Sequence, residues 1–60
     1  MKIYVQENGW TGCIVVIANS RQEALEMMSD ELNFDNRCKP EDLLEFEIQH
    51  GWKYCNLGDM

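Results

Sequence analysis

The start of the chain shows the alternation of polar and apolar residues that is typical of β-strands. In the segment Lys2–Gln6, β-branched and aromatic side chains alternate with polar ones, which predicts a strand with Ile3 and Val5 facing inward. The dipeptide Asn8-Gly9 readily accepts the positive φ angles of a tight turn. It leads to the apolar run Cys13–Ala18, so the two segments predict an antiparallel hairpin.

The second strand of this hairpin, Cys13–Ala18, is apolar on both faces. We therefore expect it to be a central strand with one face against a helix. The other face would lie against a partner strand, a second layer or another subunit. If that face is exposed, it indicates dimerisation.

A capping signal marks the start of a helix after the hairpin. Ser20 precedes Glu23 by three residues, so the serine hydroxyl and the glutamate carboxylate can satisfy free amide groups there. This predicts an amphipathic helix from about Arg21 to Asn33. Its predicted apolar stripe is Ala24, Leu25, Met28 and Leu32, and its acidic outer face carries Glu23, Glu26 and Asp30.

The remainder of the chain predicts a second hairpin. Residues 34–39 have no periodicity and indicate a connection, and Pro40–Leu43 predicts one short helical turn begun by proline. Residues 44–49 alternate cleanly, and His50-Gly51 then predicts a turn into a last short strand, Trp52–Asn56. In the alternating strand we expect Leu44, Phe46 and Ile48 to be buried, and Glu45, Glu47 and Gln49 to be exposed.

These elements predict a single α+β domain over residues 1–60. Its small antiparallel sheet consists of two hairpins in the order ββαββ, covered by one amphipathic helix. A chain of 60 residues buries only about 60% of the surface that its unfolded form exposes. Such a domain can seldom hold a pocket rigidly from behind, so we expect a protein that is not an enzyme.

The net charge changes this picture from a generic domain to an acidic one. Eleven Asp and Glu oppose five Lys and Arg, giving −6, and residues 22–50 alone sum to −7. Direct binding to nucleic acid is not expected, because that affinity depends largely on cations that neutralise phosphates. The charge is concentrated on the predicted helix face, the connection and one strand face.

Two interpretations of the acidic surface are open. It is either a solvated face that keeps a small protein soluble or a binding surface for a basic partner. In the second case, rows of carboxylates imitate phosphates and occupy a cationic nucleic-acid groove. The candidate partner-binding residues are Glu23, Glu26, Asp30, Glu31, Asp35, Glu45 and Glu47.

Two tryptophans follow turn glycines and are candidate hydrophobic anchors. Trp10 comes after Asn8-Gly9, and Trp52 comes after His50-Gly51. Tryptophan is favoured at binding hot spots, and positions beside turns are often partly exposed. The alternative is core packing, which we favour for at least one of the two.

The thiols and the single histidine indicate neither a metal nor a catalytic site. Cys13, Cys38 and Cys55 are odd in number and widely spaced, which fits reduced thiols in a cytoplasm. Together with His50 they lack the short spacing of structural zinc. No phosphate-binding glycine loop is present, so we expect no cofactor. No signal peptide or membrane span is predicted, since the chain begins directly with a strand.

Two resemblances bear on function. The junction Ala18–Glu26 resembles the strand-to-helix junction of HicB-type antitoxins, which implies a binder that neutralises a basic toxin. In size, acidity and mixed topology, the whole chain is similar to phage-encoded anti-CRISPR proteins. That similarity implies an inhibitor, acting in the cytoplasm of a bacterial host, that blocks the nucleic-acid groove of a defence effector by charge mimicry. A small homo-oligomeric structural subunit is a third alternative.

Overall fold

The computed structural model describes residues 1–9 and 12–55 of the chain. Over these residues the protein is α+β, as predicted, with one helix and a three-stranded antiparallel sheet. The bounds of the elements are β1 Lys2–Glu7, β2 Cys13–Ala18, α1 Arg21–Met28, a 3₁₀ turn Pro40–Asp42 and β3 Leu44–Glu47.

The strand order in the sheet is β2-β1-β3, so the first strand is central. The prediction that Cys13–Ala18 is the central strand is therefore wrong, because no other described segment pairs with its outer side. From β2 the chain passes through α1 to β3, which lies on the far side of β1. Both edges of β1 are consequently paired, and Ile3, Tyr4, Val5 and Gln6 are all buried.

The loop that joins β1 to β2 is longer than a two-residue turn. Asn8 N–H donates to Gly12 O at 2.8 Å, and Gly9 has a φ of 57°, in the left-handed region that glycine adopts without strain. The strand register places Glu7 opposite Cys13, so the loop covers residues 8–12. The antiparallel hairpin is as predicted, but its connection is longer than the tight turn expected at Asn8-Gly9.

The core lies between the sheet and α1. Tyr4 from β1 and Ile14 and Ala18 from β2 pack against Ala24 and Met28 of the helix, together with Leu43. Since side chains alternate along a strand, the neighbouring residues of β1 and β2 point to the opposite face of the sheet. We call that opposite side the open face.

The helix begins as predicted but ends earlier. Ser20 Oγ accepts from Glu23 N–H at 3.1 Å, which satisfies a free amide of the first turn. After Met28, Ser29 Oγ donates to Glu26 O at 2.6 Å, and the following residues form turns. The prediction of a helix to Asn33 is therefore wrong. Leu32, assigned to the apolar stripe, is fully exposed.

Apolar and polar side chains alternate along β3 as predicted. The apolar ones, however, lie on the face of the sheet opposite to the one that packs against α1. The register places Leu44 opposite Val5 and Phe46 opposite Ile3, so these side chains lie on the open face, which α1 does not cover. Leu44 is 38% exposed and Ile48 is 49% exposed, while Phe46 is half-buried. The predicted burial of Leu44 and Ile48 is therefore wrong.

The predicted fourth strand, Trp52–Asn56, is not a strand over its described part, residues 52–55, and Asn56 lies outside the described residues. The order ββαββ is corrected to three strands and one helix. Instead, Trp52 and Tyr54 lie against Phe46, with ring centroids 5.6 and 6.1 Å from it. Aromatic packing on the open face thus replaces strand pairing in this segment.

A buried glutamine fastens the irregular connection to the sheet. Gln6, 3% exposed, donates to Asp35 O at 3.3 Å and accepts from Asp35 N–H at 3.1 Å. Its side-chain oxygen also accepts from Asn8 Nδ2 at 2.8 Å. The primary amide thus pairs with both backbone groups of Asp35, as a neighbouring strand would. A loop without regular structure is held in place in this way.

Replacing Gln6 with leucine tests this contact. Gln6→Leu keeps most of the volume but leaves the N–H and C=O of Asp35 without their partner, so we expect the free energy of unfolding to fall by about 1–3 kcal/mol. Gln22→Leu, at an exposed helix position, is the control and should change it by less than about 0.5 kcal/mol. Urea denaturation measures both, and equal stability of the two variants would contradict the assignment.

Candidate protein-binding surface

Three of the seven predicted partner-binding acids form ion pairs within the chain. Glu45 lies 2.8 Å from Lys2 Nζ and 3.2 Å from Arg21 Nε, and Glu47 lies 3.3 Å from Lys2 Nζ. The hydrogen bond from Lys2 lowers the pKa of Glu45 from its ordinary value, and the same bond raises the pKa of Lys2. The charge of this strand face is therefore largely balanced internally.

Asp35, in the connection, is the third paired acid. Its Oδ1 accepts from Arg37 N–H at 3.0 Å and from Arg37 Nε at 3.3 Å, and the backbone hydrogen bond is the main reason that the pKa of Asp35 is lowered. Because Gln6 holds its backbone and Arg37 its carboxylate, Asp35 serves the local structure of the connection.

Arg21 links three parts of the fold. Its Nη1 donates to Pro40 O at 3.1 Å and to Leu43 O at 2.7 Å, while its Nε pairs with Glu45. The guanidinium carbon lies 5.8 Å from the centroid of the Tyr4 ring. The start of the helix is thereby fixed to the 3₁₀ turn, to β3 and to the central strand.

Glu23 has a capping role at the start of α1. Its Oε1 accepts from Asn19 N–H at 2.9 Å, while its own N–H donates to Ser20 Oγ. The reciprocal bond of a capping box thus reaches one residue further back than the standard motif. A carboxylate in the first turn is also favoured by the helix dipole. Its side chain remains exposed.

The other three predicted acids have no such partner. Glu26, Asp30 and Glu31 are exposed, and within the described part of the chain no cation lies at ion-pair distance from them. Beside them, Met27 is 45% exposed and Leu32 is fully exposed. We call this surface the helix patch; its residues are Glu23, Glu26, Met27, Asp30, Glu31 and Leu32.

Trp52, one of the two predicted anchors, is not on this surface. Trp52 is half-buried, packs against Phe46 and stacks on Tyr54, with the last two ring centroids 6.4 Å apart, and its role as an anchor stays a prediction. Trp10 lies outside the described residues. Sequence reasoning missed the exposed Leu32 and Met27, because helical spacing assigned Leu32 to the buried stripe and left Met27 between the faces.

The aromatic cluster of Phe46, Trp52 and Tyr54 ends in a polar contact. Tyr54 Oη donates a hydrogen bond to the carboxylate of Glu7, at the end of β1. This bond raises the pKa of Tyr54 to about 12, because the neutral phenol is the form that donates. The segment after β3 is thereby fixed across the open face to the central strand.

An open groove of about 520 Å³ lies between the end of β1 and the connection. Gln6, Asn8, Asp35, Arg37 and Cys38 are among the residues that line it. Its volume is within the range of small-molecule sites. However, the polar groups of Gln6, Asn8 and Asp35 already bond one another, so they serve the structure of the connection.

The three thiols are free, with Cys55 exposed and Cys13 and Cys38 half-buried. Among residues 1–9 and 12–55, no three His, Cys, Asp or Glu side chains are grouped so that they could hold a metal ion. Over the same residues, no helix has the length and apolar character needed to cross a bilayer. No family model, curated protein or solved structure matches the chain.

Substituting Arg21 tests the link at the start of the helix. Arg21→Lys keeps the charge and the helix propensity, but one ammonium cannot reproduce the forked contacts to two carbonyls and Glu45. We expect the free energy of unfolding to fall by about 1–2 kcal/mol, allowing for partial exposure. Arg37→Lys, whose side chain is 88% exposed, is the matched control and should be nearly neutral by thermal unfolding. An equal loss of unfolding free energy in both variants would contradict the role of Arg21 in linking the helix start to the 3₁₀ turn and β3.

The Tyr54 contact predicts a pH dependence at alkaline pH. Because its pKa is raised to about 12, the contact stabilises the fold fully below the ordinary value of about 10. This contribution is lost as the pH rises through 12. In Glu7→Ala the Tyr54 pKa should fall toward about 10, whereas Glu47→Ala should leave it unchanged. The tyrosine ring resonances in an NMR titration measure both, and a Tyr54 pKa that is insensitive to Glu7 would contradict the contact.

Proposed function

We propose that the protein is a binding module that inhibits a basic nucleic-acid-binding partner by covering its cationic surface with the helix patch. The observation that supports this is the unequal pairing of the acids. Asp35, Glu45 and Glu47 are paired with cations of the same chain, whereas no cation among residues 1–9 and 12–55 pairs with Glu26, Asp30 or Glu31. Unpaired charge on one face is what a cationic surface attracts.

The carboxylates of the patch are spaced along one helix and the turn that follows it. Side chains three or four residues apart on a helix have Cβ atoms about 5–6 Å from one another. Like charges at this spacing cost roughly 0.2–0.5 kcal/mol per pair. Glu23 and Glu26 have this spacing within α1, whose last turn has no base. No ion pair among the described residues offsets the cost, so the arrangement favours a role in binding over one in stability.

Leu32 and Met27 supply the apolar part of the proposed contact. Leu32 is fully exposed directly after Glu31, and Met27, in the last turn of α1, is 45% exposed. Charged residues steer association and set specificity, whereas apolar anchors that become buried contribute most of the binding energy. The proposed partner surface is therefore basic with an apolar recess, as in a groove that binds nucleic acid.

The test uses two double variants with the same change in charge. Glu26→Lys with Asp30→Lys reverses the helix patch, and Glu41→Lys with Glu47→Lys reverses two exposed acids elsewhere. A protein retained from lysate of the native host by the wild type is purified, and its binding to DNA or RNA is measured with each form present. The wild type should displace the nucleic acid, with an affinity that falls as salt rises.

We expect the patch variant to lose at least about tenfold in affinity, since facing like charges cost more than the ~1.4 kcal/mol that corresponds to tenfold. The control pair should lose much less. Equal losses in both variants would mean that only net charge matters. An affinity independent of salt, or a partner that keeps its nucleic acid, would contradict the proposal.

A further inference from the structure

We propose that β2 is an interface for a second copy of this chain. In this dimer, β2 pairs antiparallel with its equivalent about a two-fold axis, and the two sheets join into one of six strands. The inference concerns a surface other than the helix patch, so either proposal can fail without the other. It follows from the edge position of β2 and from the residues that it exposes.

The outer edge of β2 presents unused backbone groups. Asn8 N–H donates to Gly12 O, and hydrogen-bonded pairs alternate along an antiparallel ladder, so Ile14, Val16 and Ala18 are the residues that bond to β1. The N–H and C=O groups of Cys13, Val15 and Ile17 therefore point away from β1. No described segment pairs with them.

The two edges of the sheet differ in charge. At the β3 edge, Glu45 and Glu47 are charged, which is one of the devices by which proteins prevent edge pairing. The β2 edge, Cys13–Ala18, has no charge, no proline and no positive-φ residue. An exposed, uncharged edge strand of this kind is a template for another strand.

Charge also selects the occupant of this edge. Each chain carries −6, so two copies can approach closely only where neither presents acids. A charged segment of another protein would leave its charges facing an apolar strand without a partner. A second Cys13–Ala18 strand is equally apolar and carries no charged side chain. The uncharged strand therefore fits its own copy.

The free backbone groups define the register. With Val15 opposite Val15 of the second copy, Cys13 faces Ile17 in both directions, and all the outward N–H and C=O groups of these residues are paired. Val5 pairs with both Val15 and Leu44 within each chain. The open faces then form one continuous apolar row, Leu44, Val5 and Val15 followed by the same residues of the second copy. Val15 and Ile17, which are 43% and 51% exposed, would be covered.

The position of the helix is compatible with this pairing. Arg21, in the first turn of α1, lies over Tyr4 of the central strand and bonds to Leu43 O and Glu45 on the β3 side. The helix covers β2 from the core face, where Ala24 and Met28 pack with Ile14 and Ala18, whereas the proposed pairing of the outward backbone groups of β2 lies in the plane of the sheet.

The first test is the mass of the chain in solution. Sedimentation equilibrium of the wild type should give twice the chain mass of 7.1 kDa, and the dimer should dissociate on dilution. Val15→Lys places a charge on the two-fold axis and should give a monomer, while Val15→Thr, also β-branched, should remain dimeric. Circular dichroism shows whether each variant is folded. A wild type that is monomeric at every concentration, or a folded Val15→Lys dimer, would overturn the proposal.

The second test is the register, in a chain whose three native cysteines are replaced by serine. Residues facing each other in a hydrogen-bonded antiparallel pair have Cα atoms about 5.5 Å apart, which is within disulfide reach. Val15→Cys should therefore cross-link when oxidised glutathione accepts the electrons of the two thiols. Ile17→Cys is the control, since its two copies would lie roughly 14 Å apart. Cross-linking of Ile17→Cys but not of Val15→Cys would assign a different interface and refute this one.

Discussion

The structure depends on one constraint: a single short helix can cover only one face of the sheet, while the strands are apolar on both. α1, Arg21–Met28, packs on the face that carries Tyr4, Ile14 and Ala18. The central strand β1 nevertheless buries residues on both faces, including Ile3 and Val5. The remaining apolar surface of the edge strands must be covered by other means, and the aromatic residues Phe46, Trp52 and Tyr54 supply part of that cover.

The irregular segments are held by side chains rather than by regular structure. Gln6 replaces a missing strand by pairing with the backbone of Asp35. Arg21 bonds the carbonyl of Pro40, which begins the 3₁₀ turn, and that of Leu43, which follows the turn. Tyr54 returns the segment after β3 to the end of β1 through Glu7. In a domain of this size, each such contact replaces core volume that a longer chain would supply.

The same division explains the distribution of charge. Acids close to the sheet, such as Glu45 and Asp35, neutralise the few cations and fix local geometry. On the outer side of α1 and the turn after it, Glu23 caps the helix start, whereas Glu26, Asp30 and Glu31 form no ion pair within the described part of the chain. The negative charge of the chain is thus partly structural, and Glu26, Asp30 and Glu31 of the helix patch belong to the part that is not.

The fold class, the first hairpin, the helix start and the proline turn could be predicted from local patterns, because each depends on neighbouring residues. The strand order could not, since alternation in residues 44–49 shows that one face is apolar but not which layer meets it. The helix end was missed because Leu32 continues the periodicity although Ser29 begins the turns. For the candidate surface, the sequence predicted the acids, but ion pairing across elements, as between Lys2 and Glu45, has no local signal.

Hydrogen exchange of individual backbone amides tests the central claim. According to this claim, both hydrogen-bonding edges of β1 are paired, whereas β2 has one open edge. At low protein concentration, the amides of Ile3, Tyr4, Val5 and Gln6 should all be protected, because β1 bonds alternately to β2 and β3. In β2, Ile14 and Val16 should be protected while Val15 and Ile17 exchange rapidly. Equal and concentration-independent protection at all four β2 positions would show that another part of the chain covers this edge, and would contradict the account.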